Sequence, residues 1–324
     1  MIFSGWVINV LCPIDAVDIY VDGTLCASNV PLQENGLLSD SRYSYLPQSQ
    51  KAGLNSQIVL DETVSSKKRL TFRIVGKRGE EECGSFLSEV RGFKAAEEII
   101  PVPPIGLQHY IGQKNPFFLS EGYRIYAEIK KWIAPHIPDF DSIDRILDWG
   151  CGCARVTRFL IEDTQECAVF GCDIDARAIQ WNTAHFDRGT FVTNTPLPPL
   201  PYPDDYFDFI YGISIFTHFD EVTQNCWLEE LRRILKPGGL IGVSVLSSQF
   251  SPPGLQLAAR ERGFADELSL QSDDFSDFAR KDYYRLTTHS RAYIEHHWSQ
   301  FFVLLDFIES GINSHQDFVV MRKR

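Results

Sequence analysis

The sequence predicts an α/β fold preceded by an all-β region, and three features of the chain carry this prediction. The segment 145–160 has the pattern of a buried strand, a glycine-containing turn and the start of a helix. The segment 206–219 is almost continuously apolar, as expected of a central strand in a parallel sheet that is covered on both faces. Residues 1–91 instead alternate in polarity and contain no helical period of useful length.

The N-terminal segment, residues 1–91, is predicted to form a small β-sandwich domain. Segments 4–10 and 16–27 have the alternation of strands, and the pair Asp22-Gly23 is a strong hairpin signal. Several short strands separated by turn residues, with no helix among them, are typical of a sandwich. We therefore expect two packed sheets in this part of the chain.

A linker and a second domain follow. Residues 92–115 contain a proline-rich stretch that fits neither a helix interior nor a central strand, so we place the linker there. The second domain then covers 116–324. Within it, residues 247–289 form an insertion at the ligand-binding edge of the sheet, which we interpret as a substrate-covering element. The insertion carries three acidic residues that fit either a metal site or, as we favour, a solvated acidic turn: Asp273, Asp274 and Asp277.

The turn at the start of the second domain has the composition of a ligand-binding loop. Gly150 and Gly152 lack a side chain, so a ligand can approach the backbone and positive φ angles are accessible. The helix that follows would present free N–H groups and a positive dipole end to a nucleoside or a carboxylate. In the dinucleotide fingerprint G-x-G-x-x-G the third glycine would stand at Arg155, which disfavours a nicotinamide dinucleotide.

The phrase D-W-G-C-G-C-A-R at 148–155 resembles motif I of the class I S-adenosylmethionine-dependent methyltransferases. Further phrases of that family follow in the expected order: an acidic residue that ends the second strand (Asp173), a P-x-x-D-D-x-F-D phrase that contains Asp204, Asp205, Phe207 and Asp208, and LRRILKPGGLI at 231–241. The resemblance implies a Rossmann-like sheet of seven strands, the last of which is antiparallel to the others.

The same resemblance implies S-adenosylmethionine as the cofactor. It assigns ribose binding to Asp173, which follows Gly150 at close to the roughly 20 residues expected of such a βαβ unit. The alternative role for an aspartate here is a helix cap, which we assign to Asp175. The complete predicted set of cofactor-binding residues is Asp148, Gly150, Cys151, Gly152, Asp173, Ile174, Asn194 and Ile213.

Two further phrases bear on the acceptor. GWVIN…PIDAVDIYVDG resembles a small Ig-like domain that precedes some bacterial glycosyltransferases and methyltransferases of surface-polysaccharide pathways. W-x-x-F-F…G-I-N-S-H-Q-D resembles methyltransferases found in polysaccharide gene neighbourhoods. These resemblances imply O-methylation of a sugar or glycan precursor, with a sugar or partner contact through the N-terminal domain. The alternatives are a small-molecule N- or C-methyltransferase and a non-catalytic relic of the cofactor site that binds glycans.

An alcohol acceptor must lose its proton as it is methylated, and a histidine at the rim of the sheet is suited to take it. His218, after the fourth strand, is the first candidate, His289 at the end of the insertion is the second, and His315 is a weaker third. A structural hydrogen bond that holds its own loop is an equally good interpretation of His218. The residues expected to contact the acceptor are Tyr283, Tyr284 and Arg285.

Composition limits the partners. The formal net charge of −12 disfavours a broad nucleic-acid footprint. No apolar run approaches the roughly 20 residues that span a bilayer, and the N-terminus lacks the basic region of a signal peptide. The 8 cysteines are scattered without a Cys-x-x-Cys pair, which indicates free thiols in a reducing compartment rather than a zinc site. We therefore expect a cytoplasmic protein with no bound metal.

Overall fold

The chain forms two compact units, Met1–Ile100 and Pro101–Arg324. The division between them lies within 92–115, the segment that we interpret as a linker. The computed structural model describes residues 2–6, 14–32, 53–57, 69–91, 102–108, 118–137, 142–164, 166–269 and 283–324.

The N-terminal unit consists of antiparallel strands. They are β1 (Ile2–Trp6), β2 (Ala16–Val21), β3 (Thr24–Pro31), β4 (Gly53–Gln57), β5 (Arg69–Arg78) and β6 (Glu81–Arg91). The order β3-β2-β5-β6 makes one sheet, and β1 pairs separately with β4. The turn between β2 and β3 uses Asp22 and Gly23, both with positive φ, as predicted for a two-residue hairpin.

One face of β2 supplies the core of this unit. Val17, Ile19 and Val21 are fully buried, together with Val75 of β5, because alternate side chains of a strand point to the same face. The predicted antiparallel β structure is thus confirmed. The Ig-like sandwich stays a prediction.

The second unit alternates strands and helices. Its strands are β7 (Arg145–Trp149), β8 (Ala168–Asp173), β9 (Thr190–Thr193), β10 (Phe207–Gly212), β11 (Leu235–Leu246), β12 (Phe264–Leu268), β13 (Arg285–His289), β14 (Val303–Ile312) and β15 (Gln316–Arg322). Its α-helices are α1 (Phe118–Ile133), α2 (Thr157–Asp163), α3 (Ala176–His185), α4 (Glu221–Ile234), α5 (Pro253–Arg262) and α6 (Arg291–His297). Short 3₁₀ helices are formed by Ile105–Leu107, Ala134–His136, Phe216–His218, Ser248–Phe250 and Trp298–Gln300.

A mixed sheet of seven strands, in the order β14-β15-β11-β10-β7-β8-β9, forms the centre of this unit. The pairs from β9 to β11 are parallel, and β15 is antiparallel to both of its neighbours. This is the predicted seven-stranded sheet with an antiparallel last strand. Because β7, β8 and β10 are parallel, their carboxyl ends lie along one edge, where ligands bind in open α/β sheets.

The core of the second unit lies on both faces of the middle strands. Ile146, Leu147, Phe209 and Ile210 are fully buried because β7 and β10 have a strand on each side and helices above and below. One stripe of α4 is equally buried and includes Trp227. This packing holds the carboxyl ends of the strands in fixed positions.

The insertion contains α5 and the antiparallel pair β12–β13. Its last strand is bound to the loop that follows β10, where the hydroxyl of Thr287 donates to the carbonyl of Phe219 at 2.6 Å. The end of the insertion is therefore fixed at the same edge of the sheet as the glycine loop.

Candidate active site

The glycine loop between β7 and α2 depends on close backbone contact. Gly150 has a φ of +80°, and a Cβ atom there would lie 2.1 Å from Cδ1 of Ile215. Gly152 has a φ of +50° and open space around it. The first position therefore requires glycine for space and conformation, and the second for conformation alone.

The amides of this loop bind the protein itself. The N–H groups of Gly150 and Cys151 both donate to the carbonyl of Cys172, at 2.8 and 3.0 Å. The N–H of Gly152 donates to Oδ2 of Asp173 at 2.7 Å. These three bonds fix the loop to the end of β8, so these amides are not available to a ligand.

A guanidinium supplies positive charge beside the loop. Arg155 is mostly buried, lines the cavity described below, and lies 3.4 Å from a carboxylate oxygen of Glu121 on α1. Burial lowers the pKa of Arg155, and the neighbouring Glu121 carboxylate opposes that shift. In the sequence, Arg155 served as evidence against a dinucleotide. Its place in the motif was the signal for a second, electrostatic role.

Asp148 is the most unusual carboxyl group of the site. It is 4% exposed, and its Oδ2 accepts hydrogen bonds from the hydroxyls of Thr157 and Tyr211, at 2.5 and 2.7 Å. Burial raises the pKa of Asp148 to about 7, although both hydrogen bonds act in the opposite direction. Its ionisation therefore depends on what occupies the cavity.

The two aspartates after β8 have different roles. Asp173 accepts from the amides of Gly152 and Asp175, at 2.7 and 2.9 Å, with one carboxylate oxygen each. Burial raises its pKa, and the backbone bonds limit the shift. Asp175 caps α3, as predicted, by accepting from the N–H of Arg177. Asp173 is thus the carboxylate whose remaining lone pairs are available to a ligand.

A cavity of about 230 Å³ opens at the carboxyl ends of β7, β8 and β10. It brings together all the residues that we expect to bind the cofactor, and His218 also lines it. Its apolar walls include Ile213, Ile215, Phe219 and Trp227. A hydrophobic cleft with a few convergent polar groups is the usual form of a small-molecule site.

The residues present fit S-adenosylmethionine. The side-chain Oδ1 of Asn194 is buried and has no hydrogen-bond partner among the described residues, so it suits an N–H donor such as the amino group of adenine. Asp173 offers acceptors for a ribose diol, and Ile174 offers an apolar surface beside them. The open space around Gly152 leaves room for the remainder of the molecule.

His218 ends a 3₁₀ helix and joins two elements of the site. Its Nδ1 donates to the carbonyl of Arg285 at 2.9 Å, and its Nε2 accepts from the hydroxyl of Tyr284 at 2.7 Å. Burial lowers the pKa of His218 to about 4, so the ring is neutral near pH 7. This histidine fastens its loop to β13 and also lines the cavity, and its role as a proton acceptor stays a prediction.

The segment beside this pair closes one wall. The hydroxyl of Tyr283 and the indole N–H of Trp227 both donate to the carbonyl of Pro196, at 2.5 and 3.2 Å. The proline-rich loop, α4 and the end of the insertion therefore meet at one carbonyl. Tyr283 and Tyr284 both line the cavity, as expected of acceptor-contacting residues.

The other candidates lie elsewhere. His289 does not line this cavity; it is buried, with Nε2 hydrogen-bonded to the side chain of Gln224. His315 is exposed, and its ring lies 4.5 Å from that of Phe250. Asp273, Asp274 and Asp277 fall outside the described residues. In the described ranges, no three His, Cys, Asp or Glu side chains are close enough to hold a metal ion.

Comparison with known proteins gives a family for part of the chain. Residues 146–239 match the sequence model of the family described as Methyltransferase domain. The probable methyltransferase ltbC of Aspergillus luteorubrus is 27% identical over 133 residues, which covers 37% of this chain and 47% of that protein. The tRNA (carboxymethyluridine(34)-5-O)-methyltransferase of Arabidopsis thaliana is 29% identical over 122 residues, covering 37% of this chain and 28% of that protein. These matches span less than half the length of either relative.

Solved structures similar to this chain include an S-adenosylmethionine-dependent methyltransferase from Mesorhizobium loti, with a TM-score of 0.44 and 14% identity over 60% of this chain and 98% of that one. The PH0226 protein of Pyrococcus horikoshii OT3 gives a TM-score of 0.45 and 18% identity over 67% of this chain and 99% of its own. In the part of the chain that the structure describes, no helix has both the length and the apolar character needed to cross a membrane.

The matched segment 146–239 runs from β7 into β11 and contains both the glycine loop and Asp173. The second unit therefore contains a methyltransferase domain, and its strand order is that of the predicted Rossmann-like sheet. The resemblance of 148–155 to motif I is confirmed at this level. The polysaccharide subtype stays a prediction.

Proposed function

We propose that this protein transfers a methyl group from S-adenosylmethionine to a hydroxyl group of a sugar or glycan precursor. The observation that carries the proposal is the cavity at the strand ends, where the expected cofactor-binding residues lie beside the neutral His218–Tyr284 pair. The resemblance of the chain at both ends to proteins of polysaccharide pathways supports a sugar acceptor. When bound, S-adenosylmethionine supplies a methyl group activated by the sulfonium charge.

Each polar residue of the cavity would bind a different part of the cofactor. Asp173 would accept from the ribose hydroxyls, and Asn194 Oδ1 would accept from the adenine amino group. Arg155 would bind the carboxylate of the amino-acid end, and Asp148 its ammonium group. Opposite charge favours the ionised form of a buried carboxyl, so Asp148 ionises when that ammonium group is present.

Proton removal falls to the His218–Tyr284 pair. An alcohol becomes a competent nucleophile only as its proton leaves, so an acceptor must stand within hydrogen-bond reach when the new bond forms. An acceptor hydroxyl at the oxygen of Tyr284 gives its proton to that oxygen, while Tyr284 passes its own proton to Nε2 of His218. The apolar walls at Phe219 and Trp227 exclude water from this exchange.

The alternatives make different demands on the same residues. The Arabidopsis relative is named for O-methylation of a tRNA nucleoside, but a net charge of −12 on this chain disfavours the phosphate contacts of an RNA acceptor. Transfer to nitrogen or carbon of a small molecule stays the alternative. An unprotonated amine already has a free lone pair, so it does not need the proton acceptor that His218 provides.

Calorimetry with S-adenosylmethionine, S-adenosylhomocysteine and NAD tests the cofactor assignment. We expect both sulfur nucleosides to bind and Asp173→Ala to weaken them by roughly a hundredfold, since charge-assisted hydrogen bonds are lost. Asp187→Ala, which removes an exposed aspartate just after α3, is the matched control and should bind normally. Binding of NAD in their place would exclude a methyltransferase.

Transfer of a labelled methyl group tests the acceptor. Sugar nucleotides, free amines and phenols are offered in parallel, and we expect label in the sugar nucleotides. Label in an amine instead would favour the alternative. Cofactor binding with no transfer to any acceptor, including a glycan extract of the source cells, would point to a non-catalytic relic.

A further inference from the structure

A second cavity of about 270 Å³ lies in the same unit, and most of the residues that line it are polar. It lies where three elements meet: after the end of β11 at Ser247, near the start of β15 at Asp317, and at the end of β13 at His289. None of the described residues that line it also lines the cofactor cavity. The proposed chemistry leaves this cavity without a role.

The hydrogen bonds around His289 define the state of its ring. Tyr293 donates its hydroxyl proton to a carboxylate oxygen of Glu221 and accepts from the side-chain NH₂ of Gln224 at 3.0 Å. The amide oxygen of Gln224 must then accept from the protonated Nε2 of His289. Burial keeps this imidazole neutral by lowering its pKa to about 3. Nδ1 is therefore a bare acceptor.

That acceptor is unsatisfied. His289 is only 3% exposed, and its Nδ1 is buried. Nδ1 has no hydrogen-bond partner among the described residues. A buried acceptor without a partner carries a desolvation penalty that a bound ligand removes. Since Nδ1 cannot donate, the matching ligand atom has to carry a hydrogen, as a hydroxyl group does.

The charges around the cavity cancel. Arg260 and Arg291 line it together with Glu309 and Asp317, two of each sign. Such a wall favours a ligand without net charge, whose groups both donate and accept. A phosphate would meet two carboxylates as well as two guanidiniums. The aromatic ring of Phe307 adds an apolar face to the same wall.

The position of the cavity relates it to the proposed reaction. Tyr284, which contacts the cofactor cavity, directly precedes β13, and His289 ends that strand. His289 lies five steps of extended chain beyond Tyr284, which corresponds to about 17 Å. A ligand that reaches from one cavity to the other is therefore longer than a single sugar ring.

We propose that this second cavity binds a neutral saccharide unit of the acceptor, with a hydroxyl group donating to Nδ1 of His289. Binding of the saccharide depends only on the cavity. Its role as the remote part of a methyl acceptor rests on the proposed function.

The test measures binding of neutral saccharides by saturation-transfer NMR, with glucose, galactose, rhamnose, maltose and lactose as probes and glucose 1-phosphate as the anionic comparison. The variants Arg260→Gln and Glu309→Gln each change one exposed side chain of the cavity, so the fold is retained. Arg262→Gln and Glu261→Gln on the exposed surface of α5 are the matched controls. We expect at least one neutral saccharide to bind, with affinity reduced roughly tenfold in the cavity variants and less than about twofold in the controls.

Three results would overturn the proposal: no neutral saccharide binds, binding is equal in the cavity and control variants, or glucose 1-phosphate binds better and loses affinity in Arg260→Gln alone. Calorimetry with S-adenosylhomocysteine on the same samples separates the two proposals. Saccharide binding without cofactor binding would contradict the proposed function but not the proposal that the second cavity binds a saccharide. Cofactor binding without saccharide binding would contradict only the proposal for the second cavity.

Discussion

Tyr284 donates its hydroxyl proton to Nε2 of His218 at 2.7 Å, while the neighbouring carbonyl of Arg285 accepts from Nδ1 of the same ring at 2.9 Å. Two consecutive residues thus hold both nitrogens of one imidazole. The carbonyl can only accept, so the tautomer protonated at Nδ1 is fixed. The free lone pair of the ring then lies at Nε2 and is reached through the hydroxyl of Tyr284.

This arrangement predicts that Tyr284→Phe lowers kcat by roughly a hundredfold, the lower range for loss of general base catalysis. The variant keeps the aromatic ring but removes the hydroxyl that lies between the acceptor and His218. Affinity for S-adenosylhomocysteine should stay within about twofold, because none of the proposed cofactor contacts is lost. Single-turnover rates and calorimetry measure the two quantities.

Tyr206→Phe is the matched control. It removes a tyrosine hydroxyl from the same unit at a residue that does not line the cavity. We expect at most a few-fold loss of kcat. Equal turnover of Tyr284→Phe and the native protein on the true acceptor would contradict the proposed proton path.

The burial of His218 predicts a specific dependence of stability on pH. Its pKa is about 4 in the folded protein and near 6.5 in the unfolded chain, so the unfolded state takes up the proton first as the pH falls. The contribution of this group is fully present above pH 6.5 and is lost between 6.5 and 4. It amounts to about 3 kcal/mol of unfolding free energy.

Urea unfolding of the native protein and His218→Gln between pH 4.5 and 7.5 measures this term. The difference in unfolding free energy between the two should grow with pH up to about 6.5 and then level off. His185→Gln, which changes an exposed histidine, should show no such trend. A difference independent of pH would mean that the ring of His218 is not held neutral by burial.

The sequence was most informative where chemistry and local structure are set by neighbouring residues. The glycine loop and Asp173 lie on one βαβ unit, so their spacing and the strand pattern place them together. The run of motifs predicts the order of the sheet for the same reason. His218 was singled out because it lies at the end of the apolar segment 206–219, six residues after β10 ends at Gly212.

Contacts between distant segments were not predictable in this way. Tyr284 and His218 are 66 residues apart in the chain, and the β12–β13 pair brings them together. The residue pattern of these two strands does not indicate that they lie beside the site. The hydrogen bonds from the amides of Gly150 and Cys151 to Cys172 depend on the distance between the glycine loop and β8. The composition of the loop does not predict that distance. In the sequence, His289 and His218 both end segments that lead to the ligand-binding edge of the sheet. In the structure, His289 lies at the far end of β13 and lines the second cavity.

Gly150→Ala is expected to weaken cofactor binding by at least about tenfold. The new Cβ atom would clash with the side chain of Ile215 in a backbone conformation with a φ of +80°, so the loop or the Ile215 side chain has to move. Gly254→Ala on α5 adds the same atom where nothing lies within 4 Å, and should leave binding unchanged. Calorimetry with S-adenosylhomocysteine compares them, and equal affinity in both variants would show that the loop does not contact the cofactor.

Asp148 predicts a pH effect of the opposite sign to that of His218. Its pKa is about 7 in the folded protein and near 3.9 in the unfolded chain, so the folded state holds the proton more tightly over this window. Unfolding free energy therefore falls as the pH rises from about 4 to 7, by up to about 4 kcal/mol. Asp148→Asn keeps an acceptor oxygen for Thr157 and Tyr211 but cannot ionise.

We therefore expect Asp148→Asn to gain stability relative to the native protein as the pH rises from 5 to 8, with Asp187→Asn as the exposed control that does not. Cofactor binding has the opposite pH dependence, since an ammonium group beside Asp148 favours the ionised carboxylate. Affinity for S-adenosylhomocysteine should then rise with pH through about 7 in the native protein and stay flat in Asp148→Asn. Parallel pH curves for the two proteins, in unfolding and in binding, would show that this carboxyl is ionised throughout and does not face the amino-acid end of the cofactor.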